Sequence, residues 1–181
     1  MHLVEQILRA IIEHDHEAAA RLARDHLHEQ PDDPVVLALR SYALGNLLLG
    51  ELPPDRRQAI EQERLAHASV ILEHLRPERF TEDETIRQIQ RAALAEAHAA
   101  IARRRYDDAA SARDLEEALA LALAGEQACG LTRPLLEVQA LCLLRLGRER
   151  EAQELIAQVI GDPPETTRAF LEDVARARAH S

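Results

Sequence analysis

The 181-residue chain contains no lysine and no tryptophan, and aromatic residues make up only 2% of it. Proteins that bind single-stranded nucleic acid commonly stack bases on aromatic side chains, and this chain has too few for such a platform. Its net charge of −10 also opposes binding to a phosphate backbone. The composition therefore argues against a nucleic-acid partner.

Cysteine is scarce as well, since Cys129 and Cys142 are the only two and follow no CxxC spacing. Two reduced, partly buried thiols are the prediction, as in a cytoplasmic protein. No apolar run approaches the roughly 20 residues that span a bilayer, and the N-terminal segment lacks the basic start of a signal peptide. We therefore expect a cytoplasmic protein with no membrane partner.

The motifs of common catalytic sites are missing too. Serine is rare, Gly-x-Ser-x-Gly and HExxH are absent, and six glycines form no phosphate-binding loop. Glu63 and His67 are four residues apart, which is not the Glu-x-x-His spacing of di-iron bundles. We expect no catalytic residue, no metal and no cofactor, and therefore no enzyme.

Nine histidines are the remaining candidates for metal chemistry. His14 and His16 flank a predicted turn that would bring them together beside Asp15, whereas His26 and His28 are two apart on a helix and do not face each other. We interpret these histidines as solvated polar residues. A helical-bundle metalloenzyme is the alternative that they leave open.

Residues that favour helices are abundant: Ala, Leu, Glu, Arg and Gln dominate, and strand-like alternation is nearly absent. Between the proline and glycine breakers, apolar residues recur with the helical period. This pattern predicts an all-α fold with nine helices, at about 2–14, 16–29, 34–49, 55–75, 81–104, 114–130, 134–146, 148–160 and 163–179. The third is apolar on nearly every face, which predicts a central, buried helix.

Capping signals support several of these boundaries. Asp33 before Pro34 is typical of an N-cap followed by a first-turn proline. Thr81 and Glu84 fit a capping box, and Asp114 is the expected start of the sixth helix after a polar stretch. Gly147 is the predicted C-cap of the seventh helix.

The helices group into pairs, which predicts a single domain over residues 1–181. The pairs cover about 1–33, 34–80, 81–132 and 133–162, and a capping helix follows at 163–181. The first spacing and the length of the last pair are close to 34 residues, a period that occurs in helical repeat proteins.

The last pair resembles a tetratricopeptide repeat. The matching residues are Leu136, Gln139, Ala140 and Leu143 in its first helix, Ala152 and Ile156 in its second, and Pro164 after them. The other pairs match in part, with Ala97, Ala43 and Gly50 at corresponding places. The resemblance implies a right-handed α–α solenoid, and a compact helical bundle with different connectivity is the alternative.

In the tetratricopeptide family, the first helix of each pair lines a concave groove that binds a peptide. Projected onto this chain, the groove positions include Arg9 in the first pair and Arg40 and Leu44 in the second. In the later pairs they are Arg91, Leu94, His98, Glu137, Leu141 and Arg145. The four arginines would form a line of cations that suits an acidic-apolar peptide. Alternatively, they form ordinary surface ion pairs.

These expectations indicate a non-catalytic adaptor or chaperone that binds a protein or peptide partner. The alternative function is a helical sensor or effector-binding component of a transcription-regulatory system. The terminal helix, with Phe170, Leu171 and Val174, either caps the last pair or forms a homodimer interface.

Overall fold

The computed structural model describes residues 3–159, 161–162 and 164–180, without the side chains of 164–166. These residues form nine α-helices and one short 3₁₀ helix at Pro77–Arg79, and they contain no strand. The helices are α1 Leu3–Ile12, α2 His16–Glu29, α3 Pro34–Leu47, α4 Pro54–His74, α5 Glu84–Asp107, α6 Ala112–Cys129, α7 Arg133–Arg145, α8 Glu149–Ala157 and α9 Pro164–Ala179. The all-α prediction is confirmed; Pro163, the predicted first residue of the last helix, lies outside the described residues.

The start of α3 follows the predicted chemistry. The Asp33 carboxylate accepts hydrogen bonds from the backbone N–H groups of Val35 and Val36, at 2.9 and 3.1 Å, and Pro34 occupies the first helical turn. These bonds satisfy two donors that a helix N-terminus otherwise leaves unpaired. The predicted burial of α3 is also confirmed, because half of its residues are buried on several faces.

Two other helix starts differ from their predictions. The predicted capping box of Thr81 with Glu84 is wrong: Asp83 caps α5 instead, and its carboxylate accepts the N–H of Ile86 at 2.9 Å. A capping box does form at the start of α6, where Ser111 is the N-cap and Asp114 is the third helical residue. In both cases, the cap is an oxygen-bearing side chain two or three residues from the predicted one.

The chain divides into two compact units, Met1–Ala97 and His98–Ser181, with the boundary inside α5. In the first unit, α1 packs against α2 and α3, α2 against α3, and α3 against α4. Its core contains buried side chains from all four helices, among them Ile7, Ala19, Leu39, Leu44 and Ile60. The predicted single domain and its pair boundaries stay predictions.

The second unit is built around α7, which packs against α6, α8 and α9. Nine of its residues are buried, and six of them, Leu136 and residues 140–144, join Leu115, Ile156, Phe170 and Val174 in one core cluster. Gly147 has a φ of 73° in the turn to α8, a left-handed conformation that glycine adopts without a Cβ penalty. The helix ends close to the predicted position, with Leu146 as its C-cap in place of Gly147, which follows directly.

A close approach between α5 and α6 depends on Gly125. A Cβ atom at this position would lie 2.6 Å from the Cβ of His98 and 2.9 Å from a methyl group of Leu135. Since real Cβ atoms do not come this close, the two helices pack at this distance only because residue 125 has no side chain.

Candidate functional site

In the first unit, one predicted groove residue, Arg9, lies fully at the surface. It shares an exposed face of α1 with Glu5 and Ile12, which are four residues before it and three after it. The Arg9 guanidinium makes no hydrogen bond or ion pair with the described part of the chain. Arg9 is therefore free to pair with a carboxylate outside the chain.

Arg40, the groove cation predicted on α3, is engaged inside the first unit. Its Nη2 donates to Glu63 Oε1 at 2.6 Å, and its Nη1 lies 3.4 Å from His67 Nδ1. The Arg40 side chain is only 14% exposed. Leu44, one turn further along α3, is buried in the core. The structure thus gives Arg40 an internal ion pair and gives Leu44 a packing role.

His67 completes this polar cluster and is held neutral. Its ring nitrogen Nε2 lies 2.9 Å from the carbonyl oxygen of Leu37, so Nε2 carries the proton and Nδ1 accepts from Arg40. Burial lowers the pKa of His67 from 6.5 to about 4, which outweighs the opposing effect of the bond to Leu37. The unfolded chain therefore binds more protons than the folded chain between pH 6.5 and 4, and this group lowers stability as the pH falls through that window.

On α5, the predicted groove residues have three different environments. Arg91 is exposed and, like Arg9, has no partner among the described residues. Leu94 is buried, and His98 is half-buried with its Nδ1 donating to the carbonyl oxygen of Leu121 at 3.1 Å. His98 also packs against Gly125, so it serves the contact between α5 and α6.

The three groove residues predicted on α7 all take part in contacts within the second unit. Glu137 accepts from Arg133 Nε at 2.5 Å, and Leu141 is fully buried. Arg145 donates to the carbonyl oxygens of Tyr106 and Ala109, both at 3.1 Å. These two hydrogen bonds hold the end of α5 and the turn after it against α7.

A cleft in the second unit gathers further charged groups around Tyr106. The guanidinium carbons of Arg145 and Arg103 lie 5.1 and 5.5 Å from the centre of the Tyr106 ring. Asp173 of α9 accepts from Arg103 Nη1 at 2.7 Å and also pairs with Arg176. Burial acts to raise the pKa of Asp173, but these two guanidinium partners lower it below its usual value. The ion pair between Arg103 and Asp173 fastens α9 to α5.

The histidine pairs do not gather into a metal site within the described residues, where no group of three or more His, Cys, Asp or Glu side chains converges. The rings of His14 and His16 do come together, with centres 6.0 Å apart, and His16 also contacts Tyr42 at 6.5 Å. His26 instead bonds to Asp33, from its Nε2 to Oδ2 at 3.1 Å. Neither cysteine is in a disulfide; Cys142 is buried and Cys129 half-buried, and burial raises the pKa of Cys142 to about 12.

Sequence reasoning missed a surface at one end of the first unit. Tyr42 and Leu49 are 40% and 84% exposed, and Ile12 is 75% exposed at the same end. The apolar periodicity did not predict this surface. It placed Tyr42 in a helix expected to be buried and made Leu49 the last residue of that helix. The available signal was Leu49 itself, an apolar side chain directly before the break at Gly50.

Comparison with protein-family models, with curated protein sequences and with solved structures finds no match. The positions of the chain's own residues therefore carry the functional argument. Among the described residues, no helix has the length and apolar character that crossing a bilayer requires.

Proposed function

We propose that the chain is a non-catalytic binding module, an adaptor or chaperone built from tetratricopeptide-like helix pairs, that holds a segment of a partner protein. The observation that carries the proposal is the contact between α1 and α3. In paired-helix repeat proteins, each repeat packs only on its neighbours, and the stacked first helices form an extended binding face. Such stacking requires the first helix of a pair to contact both its own partner helix and the first helix of the next pair. Helix α1 does this, because it contacts α2 and α3.

The second unit supports the proposal in the same way. Its helix α7 packs on its pair mate α8 and also on α9, the helix that follows that pair. The terminal helix thus takes the place that the first helix of another pair would occupy. Its inward side chains, Phe170 and Val174, are buried there, as the capping role requires.

The partner contacts that we propose lie on the first helices of the pairs, at Arg9 of α1 and Arg91 of α5. Both guanidinium groups are exposed and lack partners within the described residues. Arg40 and Arg145 are bonded internally, so they contribute by shaping the helix surfaces. An exposed arginine with no internal carboxylate retains its donors for a bidentate bond to a partner's carboxylate.

Affinity capture from lysate of the host organism tests this function, with bound proteins identified by mass spectrometry at moderate salt. The test variant is Arg9→Glu with Arg91→Glu. The matched control is Arg21→Glu with Arg168→Glu, because these arginines are also exposed and unpaired among the described residues but lie on α2 and α9. Both variants change the charge equally, so general electrostatics affects them alike.

We expect the wild type and the control to retain one protein at near-equal stoichiometry, and the test variant to lose it. Equal retention by the test variant would show that these arginines do not form the binding surface. Recovery of a metal or small molecule in place of any protein would overturn the binding-module proposal and favour the sensor or enzyme alternatives.

A further inference from the structure

One end of the first unit carries apolar and aromatic side chains that we call the turn surface: Ile12, His14, Tyr42 and Leu49, which are exposed, and His16, which is partly buried. Ile12, Tyr42 and Leu49 are the three exposed large apolar side chains that the structure describes in this unit. Exposed apolar side chains that gather in one region of a protein surface mark an interaction site more often than scattered ones do. The turn surface lies away from the core, whose side chains come from the other faces of α1 and α3.

Helix directions bring these residues to the same end. Residues 13–15, 30–33 and 48–53 are the short turns that join α1 to α2, α2 to α3 and α3 to α4. Because short turns make successive helices antiparallel, α1 and α3 run the same way and finish at one end. Ile12 is the last residue of α1, and Leu49 lies just beyond the end of α3.

Several contacts hold this end in one arrangement. The His16 ring lies between those of His14 and Tyr42, in edge-to-face geometry with both. Glu17 at the start of α2 pairs with Arg56 at the start of α4. Arg57 donates to the carbonyl oxygens of Leu48 and Gly50, at 3.1 and 3.0 Å, and so fastens the turn that carries Leu49. The surface is therefore formed before any partner arrives.

The charge around the turn surface is negative. Residues 12–17 and 49–57 contain five carboxylates and two guanidinium groups. Arg56 is neutralised by Glu17, and Arg57 is occupied by backbone carbonyls. Four carboxylates then have no side-chain partner in the described residues: Glu13, Glu51 and Asp55, and also Asp15, which accepts only the backbone N–H of Ala18. Arg9, three residues before Ile12 on α1, is an unpaired cation near this border, and the carboxylates outnumber it. The apolar side chains are therefore bordered by an excess of negative charge.

We propose that the turn surface docks a basic amphipathic segment of another protein, with large apolar side chains on Ile12, Tyr42 and Leu49 and Lys or Arg side chains on the acidic border. The inference rests on the proposed function and names the chemistry of one partner segment, opposite in charge to the peptide predicted from the arginine line. Carboxylates at the border repel nucleic acid and anionic lipid headgroups. A second copy of the chain would bring the same negative border, so like charges would oppose self-association.

Two synthetic peptides of equal length and equal leucine content provide the probes, one with lysine and one with glutamate at every polar position. Binding to the full-length ¹⁵N-labelled protein is followed by fluorescence anisotropy and by amide chemical-shift changes. We expect the basic peptide to bind, with shift changes in residues 12–17 and 42–57, and its affinity to fall as salt is raised. We expect no binding of the acidic peptide.

Substitutions on the surface separate its apolar and charged parts. Ile12→Ser with Leu49→Ser removes two apolar side chains that a partner would bury. The affinity for the basic peptide should fall by about tenfold or more. Glu13→Gln with Glu51→Gln and Asp55→Asn should reduce the affinity and flatten its salt dependence. The control, Leu131→Ser with Leu171→Ser, removes two exposed leucines of the second unit and should leave the affinity unchanged.

Equal binding of both peptides, shift changes elsewhere, or wild-type affinity in the Ile12 and Leu49 variant would overturn the inference. The inference would also be overturned if sedimentation showed a dimer for the wild type and a monomer for that variant, because a second copy of the chain would then occupy the surface. A lysate protein could still bind the Ile12→Ser, Leu49→Ser variant and yet be lost with Arg9→Glu and Arg91→Glu. That result would overturn the docking role of the turn surface but leave the proposed function standing. Failure of the wild type to retain any protein or peptide would overturn the proposed function as well.

Discussion

Replacing glycine by alanine at Gly125 and at Gly45 should change stability in opposite directions, although both glycines lie within helices. At Gly125, the new Cβ would lie 2.6 Å from His98 Cβ, an atom attached directly to the α5 backbone. At Gly45, it would meet only the guanidinium of Arg64, at 3.8 Å. The first contact requires α5 and α6 to separate, whereas the second is ordinary van der Waals contact.

The magnitudes follow from two competing effects. Alanine favours a helix over glycine by about 1 kcal/mol, and this gain applies at both sites. Overpacking a tight interface costs about 1–3 kcal/mol. Because a Cβ anchored to the backbone cannot rotate away, we place Gly125→Ala in the upper part of that range. The free energy of unfolding should fall by about 1–2 kcal/mol for Gly125→Ala and rise by up to about 1 kcal/mol for Gly45→Ala.

Urea unfolding followed by far-ultraviolet circular dichroism measures both changes. A Tyr42→Phe background leaves Tyr106 as the single tyrosine, so its fluorescence reports on the second unit, which contains Gly125. A Gly125→Ala protein as stable as the wild type would refute the close approach of α5 and α6. Stabilisation by both substitutions would show that helix propensity alone governs these sites.

Two further predictions concern the polar clusters. Lowering the pH from 6.5 to 4 should reduce the free energy of unfolding by up to about 3 kcal/mol through His67, since its folded pKa is about 4. Urea titrations at several pH values should show that the free energy of unfolding falls less steeply with pH in His67→Gln than in the wild type. The same slope in both proteins would contradict an origin in His67. Asp173→Asn, which removes the partner of Arg103, should lower the free energy of unfolding by about 1–2 kcal/mol, whereas Asp108→Asn in an exposed pair should cost under about 0.5 kcal/mol by the same measurement. Equal effects of the two asparagine variants would argue against a fastening role for Asp173.

The groove residues show the limit of helical periodicity as a predictor. Periodicity gives the position of a residue on its helix but not the partner that its side chain finds. Spacing places Arg9, Arg40 and Arg145 at equivalent helix positions, but only Arg9 is left without an internal partner in the described structure. The partners of the other two are Glu63 on the next helix and two carbonyl oxygens before α6. Pairing of this kind depends on which helix lies opposite, and helical periodicity contains no information on that.

The sequence by itself determined the helices, because their causes are local: apolar periodicity, strong helix formers, and caps such as Asp33 and Gly147 act within a few residues. Tertiary structure alone decided which polar groups are free. It buried His67 beside Arg40, brought His98 against Gly125, and left Ile12 and Leu49 exposed at one end of the first unit. These outcomes depend on distances between residues far apart in the chain, and the packing of whole helices sets those distances.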